Sequence, residues 1–180
     1  MIRVLAIDPG TRDTGVVLMD EKGISCAQTI HFNDACGNDC HAVAFRARQL
    51  RDRLAPIVTL WKHDVIVMES WTSFSEKTGR ANSATWQTPY AIGYLQCLVE
   101  ELDGKDMVPQ TSTEVFGVRR VKSFCYGAHS QDEVEAMKRA AAKKIQGGQK
   151  LTNEHLRSAA LHGLYYLKYH KEQENLRLWN

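Results

Sequence analysis

The first third of the chain alternates short, dense apolar runs with turn-forming residues. Residues 3–8 (RVLAID) have the length and composition of a strand buried on both faces, and the run stops at Pro9-Gly10. Thr14 to Met19 and Gly23 to Phe32 read as two further strands, joined by the tight turn Asp20-Glu21-Lys22-Gly23. Spacing this short predicts an antiparallel meander. From His41 to Trp61 the period changes. Val43, Ala47, Leu50, Leu54, Ile57, Val58 and Trp61 recur at steps of three and four, as on one face of a helix, which Pro56 is expected to kink or interrupt. Arg46, Arg48, Arg51 and Arg53 take much of the remaining surface and read as a solvated face.

The pattern then repeats. Asp64 to Ser70 (DVIVMES) is another buried strand, and Pro89 to Leu102 a helix, with Thr88 as its cap and an apolar side of Ile92, Leu95, Leu98, Val99 and Leu102. Met107 to Gln110 is a short strand, and Ser112 and Thr113 could cap a brief helix before Gly117. Gln131 to Ile145 reads as a helix stopped by Gly147-Gly148. A last helix begins near Thr152 and packs through Leu156, Ala160, Gly163, Leu164 and Leu167. The order β-β-β-α-β-α-β-α-α-α predicts an α/β fold, a mixed sheet flanked by helices.

Length and composition narrow the class. At 180 residues the chain is expected to form one domain, and 43% hydrophobic with 24% charged residues is a globular balance. A net charge of +2 announces no nucleic acid, so local clusters must make that case. With neither a membrane-spanning run nor a signal-peptide layout in the sequence, the protein is expected to stay in the cytoplasm with no membrane partner. Five cysteines form no disulfide framework. Cys36, Cys40 and His41 could suit zinc, but the usual second ligand pair is missing, so they read as a polar loop with reduced thiols.

Two acids stand out because each closes an apolar strand. A buried carboxylate without compensation is costly. Asp8 and Glu69 on neighbouring strands would repel each other unless a cation lay between them. Oxygen donors of this kind suit magnesium or manganese, and two such ions can activate water and stabilise a leaving oxygen in phosphodiester cleavage.

The stretches LAIDPGTRDTGVVLMD, DVIVMESW and LTNEHLRSAALHGLYY, in this order and spacing, resemble the RuvC family of Holliday-junction resolvases, in appearance closest to its phage-borne members. The resemblance implies a ribonuclease H-like fold with a mixed five-stranded sheet, and a homodimer that cuts four-way or branched DNA with Mg2+ or Mn2+, two ions per site. A phage-encoded chain would act in the host cytoplasm. Asp8 matches the family's first catalytic acid and Glu69 the second. His155 falls on the first of two metal-facing positions in the last helix, and Ser158 stands where the family has an aspartate. A hydroxyl is a weak, neutral ligand. Either Glu154, one turn before Ser158, supplies the missing carboxylate as a further catalytic and metal-binding residue, or this copy is impaired. Glu154 alone could equally be an acid complementing a helix N-terminus.

DNA contacts are expected in two polar stretches. WTSFSEKTGRANS directly follows Ser70 and offers Trp71 or Phe74 as the junction wedge, with Lys77 and Arg80 for phosphates. GVRRVKSFCYG carries Arg119 and Arg120, and Lys122 matches a family lysine near the scissile phosphate; the nearest match to a further family lysine is Gln131. The Pro89–Leu102 helix, with Ala91 and Gly93, is the expected dimer interface. Three functions remain open: a junction-resolving endonuclease, an impaired junction-binding relative, and a nuclease resembling the YqgF family.

Overall fold

The computed structural model describes residues 1–10, 13–32, 40–70, 87–103, 107–111, 151 and 153–177. They form β1 (Val4–Asp8), β2 (Asp13–Asp20), β3 (Gly23–His31), α1 (Cys40–Leu60), β4 (Val65–Ser70), α2 (Gln87–Asp103), β5 (Met107–Thr111) and α3 (Glu154–Arg177). The strands make one five-stranded sheet in the order β3-β2-β1-β4-β5. The meander is antiparallel, while β4 and β5 run parallel to β1. The helices expected near Ser112 and over 131–145 lie outside the described residues.

Every residue of β1 is buried, because the strand is central and covered on both faces. Leu5 and Ile7 join Leu50, Leu54, Ile57, Leu95 and Val99 in a core beneath α1 and α2. Val4 and Ala6 point the other way, into a core with Val67, Leu156, Ala159 and Ala160 beneath α3. This two-sided covering is why β1 and β4 read as continuous apolar runs in the sequence. Pro109 sits in β5, at the sheet edge, where a missing N–H is tolerated.

Pro56 lies inside α1, which runs through it without interruption. The ring removes a bond back to the Asp52 carbonyl, a cost of ~3 kcal/mol in a helix interior. Leu54, Ile57 and Val58 are buried around it. At roughly 1.5–3 kcal/mol per buried side chain, their packing outweighs that cost. The start of α2 also moves, to Gln87, so that Thr88 and Pro89 lie inside its first turn. No described helix is long and apolar enough to cross a membrane.

Two features set the level and depth of the strand ends. The Asp64 carboxylate accepts from Arg3 N–H at 2.8 Å, and Asp64 N–H donates to the Arg3 carbonyl at 2.9 Å. These bonds lock the entry of β4 beside that of β1 and so fix their register. On the opposite face, Gly15 of β2 lies against the His155 backbone; a Cβ there would collide with its carbonyl group. Glycine at this position lets the start of α3 settle directly on the sheet.

Candidate active site

The β1–β4 register pairs Ile7 with Met68, which brings Asp8 level with Glu69; the β4–β5 register pairs Glu69 with Gln110. Side chains alternate along a strand. Asp8 therefore shares the face of Val4 and Ala6, Glu69 that of Val67, and Gln110 that of Val108, all toward α3. Three polar side chains thus stand in a row across the C-terminal ends of three parallel strands.

α3 answers this row with one of its own. Asn153 caps the helix, its Oδ1 accepting from His155 N–H at 2.8 Å, and the first helical bond joins Arg157 N–H to the Asn153 carbonyl at 3.2 Å. The cap fixes where the helical phase begins. His155, Ser158 and His162 then fall at i, i+3 and i+7 on one face. His155 Nδ1 lies 3.1 Å from Asp8 Oδ2. The Ser158 hydroxyl donates to Glu69 Oε2 at 3.4 Å. His162 Nδ1 lies 3.0 Å from Gln110 Oε1, and its Nε2 stands 3.7 Å from Glu69 Oε2. The helix therefore meets each strand end in turn.

Burial governs the electrostatics. Asp8 is only 5% exposed, and desolvation pushes its carboxyl from 3.8 up to about 7. The nearby Glu69 charge pushes the same way, while the bond from His155 pulls back. The His155 imidazole is raised above its usual value, chiefly by its bond to Asp8; burial opposes this, and the charges of Asp8, Asp13 and Glu154 push it further up. Two carboxyl groups held side by side with so little water make a place where positive charge is favoured.

The donor set, two carboxylates and an imidazole, fits a divalent cation of the magnesium or manganese kind. Among the described residues, no three His, Cys, Asp or Glu side chains stand close enough to enclose one as they are placed. The polar groups meet in pairs, Asp8 with His155 and Glu69 with His162.

Of the residues singled out in the sequence, Asp8, Glu69, His155 and Ser158 come together here. Glu154 is exposed in the first turn of α3, one residue before His155. Trp71, Phe74, Lys77, Arg80, Arg119, Arg120 and Lys122 lie outside the described residues, as do the side chains of Cys36, Cys40 and His41. Sequence reasoning missed Gln110 and His162. The signals were there: a polar residue near the end of β5, and a histidine one turn beyond Ser158 in an otherwise apolar stretch.

No protein-family model and no curated protein sequence matches the chain. Solved structures do. Thermus thermophilus RuvC, in a complex with a Holliday junction substrate, superposes with a TM-score of 0.68 at 14% identity, covering 96% of both chains. A second structure of Thermus thermophilus RuvC gives 0.66 at 16% identity, over 96% of this chain and 97% of that one. The fold is RuvC-like, the ribonuclease H-like arrangement of a mixed five-stranded sheet flanked by helices.

Proposed function

We propose that this protein is a metal-dependent endonuclease that resolves four-way or branched DNA junctions by symmetric phosphodiester cleavage, as a single nuclease domain acting in the cytoplasm. The observation that carries the reading is the placement of Asp8 and Glu69. Both sit at parallel strand ends, face the same helix, and repel each other in a buried setting within a RuvC-like fold.

Asp8 and Glu69 would hold the divalent cations, Mg2+ or Mn2+, with His155 beside Asp8. When bound, the cations supply Lewis acidity, a nucleophilic water and charge stabilisation at the leaving oxygen. His155 holds the Asp8 carboxylate in place, and the Asn153 cap holds His155. Ser158 steadies Glu69 through its hydroxyl but brings no charge of its own. Lys122 serves at the scissile phosphate, while Arg119, Arg120, Lys77 and Arg80 hold the DNA backbone and Trp71 or Phe74 enters the opened junction. Two cuts related by a two-fold axis call for a homodimer.

Ser158 favours a second reading, a junction-binding protein with impaired cleavage, because loss of one transition-state-stabilising group costs on the order of 10²–10³ in rate. Measuring binding and cleavage of the same synthetic four-way junction in Mn2+ decides between them. An endonuclease binds and cuts; the impaired form binds without cutting above the level of Asp8→Asn. A chain that neither prefers the junction over duplex nor cuts it is not a RuvC-type resolvase.

A further inference from the structure

His162 of α3 has no exposed surface. It lies among Ala159, Ala160 and Leu161, all buried. An apolar side chain would suit such a position, because burying a polar ring needs compensation. Its surroundings orient it closely. Gln110 Oε1 can only accept, so the 3.0 Å contact commits a proton to His162 Nδ1. The opposite nitrogen, Nε2, faces Glu69 Oε2 at 3.7 Å, too far for a hydrogen bond. In the neutral ring with its proton on Nδ1, a nitrogen lone pair therefore confronts a carboxylate oxygen. Two acceptors face to face ask for a positive charge between them.

We propose that His162 is a further cation ligand, which shares with Glu69 the metal held at the β4 side of the site; this rests on the metal-dependent reading above. Two donors each about 2.1 Å from a common cation lie roughly 3–4 Å apart, which spans the observed separation. Gln110 plays the outer role, as a partner that fixes the tautomer and aim of a ligating imidazole. The assignment also bears on Ser158. Where that position brings only a neutral hydroxyl, the same helix face supplies a nitrogen donor one turn later. A nitrogen donor shifts preference from Mg2+ toward Mn2+ and its later neighbours.

The test is calorimetric titration of Mn2+ and Mg2+ into the DNA-free full chain. His162→Asn is the sharpest variant, since its amide can reproduce the Nδ1 contact with Gln110 while deleting Nε2. Mn2+ affinity should fall about tenfold or more, with a smaller loss for Mg2+, so that the preference between the ions narrows. Gln110→Leu, which keeps the imidazole but releases its aim, should lower Mn2+ affinity in the same direction. Circular dichroism establishes that each variant is folded, and Gln110→Leu decides the matter should His162→Asn fail to fold. Wild-type Mn2+ affinity in the folded variant overturns the assignment. If Asp8→Asn removes Mn2+ binding while His162→Asn does not, the metal site stands and only the His162 ligand falls. If Asp8→Asn leaves Mn2+ binding intact, or the wild type binds none, the metal-site reading fails and this inference with it.

Discussion

Replacing Asp8 with asparagine should stabilise the metal-free protein at pH 8, although it removes a residue proposed to be catalytic. Burial and the Glu69 charge raise the Asp8 carboxyl from 3.8 to about 7. Between those values the folded chain keeps a proton that the unfolded chain has released. Stability therefore falls as pH rises across this window, and the full penalty is present above it. His155 acts in the same direction: its raised value contributes stability at low pH that is lost as pH climbs through it. Three units at about 1.4 kcal/mol each set an upper bound of roughly 4 kcal/mol for Asp8. Asparagine forfeits the charge-assisted bond with His155, so a net gain of about 2 kcal/mol is expected. For a chain of this length that corresponds to roughly 4–8 °C in Tm. Thermal unfolding in a chelator at pH 8 and pH 4 provides the assay, with the gain vanishing at pH 4. Saturating Mn2+ should reverse the order, by stabilising the wild type and not the variant. A Tm that falls at pH 8, or rises equally at both pH values, would refute the claim that Asp8 is a strained, cation-seeking carboxylate.

Three other expectations follow from the same geometry. Ser158→Asp places a carboxylate beside Glu69 and should raise junction cleavage by about tenfold or more in Mn2+, with tighter Mn2+ binding. Glu154→Gln should leave single-turnover cleavage unchanged, since Glu154 is exposed; if Glu154 replaces the missing aspartate, that substitution is the damaging one and Ser158→Asp adds little. Gly15→Ala pushes α3 off β2 and should cost about 1–3 kcal/mol in urea unfolding, with a parallel loss of Mn2+ affinity as His155 shifts. Light scattering should give twice the 20.4 kDa chain mass, with Gly93 on the exposed side of α2 at the interface; a monomer with and without junction DNA removes the two-fold arrangement.

The sheet was visible in the sequence because its strands are buried on both faces or bounded by strong turn residues. Asp8 and Glu69 stood out because an acid at the end of an apolar run has a cost that must be met somewhere. What periodicity could not supply was register. That depends on the Asp64 side chain bonding to the Arg3 backbone across 61 positions of chain, a pairing invisible to local pattern. Only with that register does Asp8 fall level with Glu69; the β4–β5 register, equally invisible locally, sets Gln110 beside Glu69, and only then does His162 cease to look like one more polar residue in a packed helix. Pro56 is the opposite case, since α1 continues through it. Its local effect is strong, but tertiary burial of its neighbours exceeds it.

The central claim is that Asp8 and Glu69 together form the metal-dependent cutting site of a junction nuclease. It is tested most directly by mapping incisions on all four strands of a synthetic immobile four-way junction, with Mn2+ and enzyme in excess. The wild type should nick two opposing strands at symmetric positions. Asp8→Asn and Glu69→Gln should each abolish those nicks while still shifting the junction on a native gel. Symmetric nicks that survive in either variant, or linear duplex cut as readily as the junction, would contradict the claim.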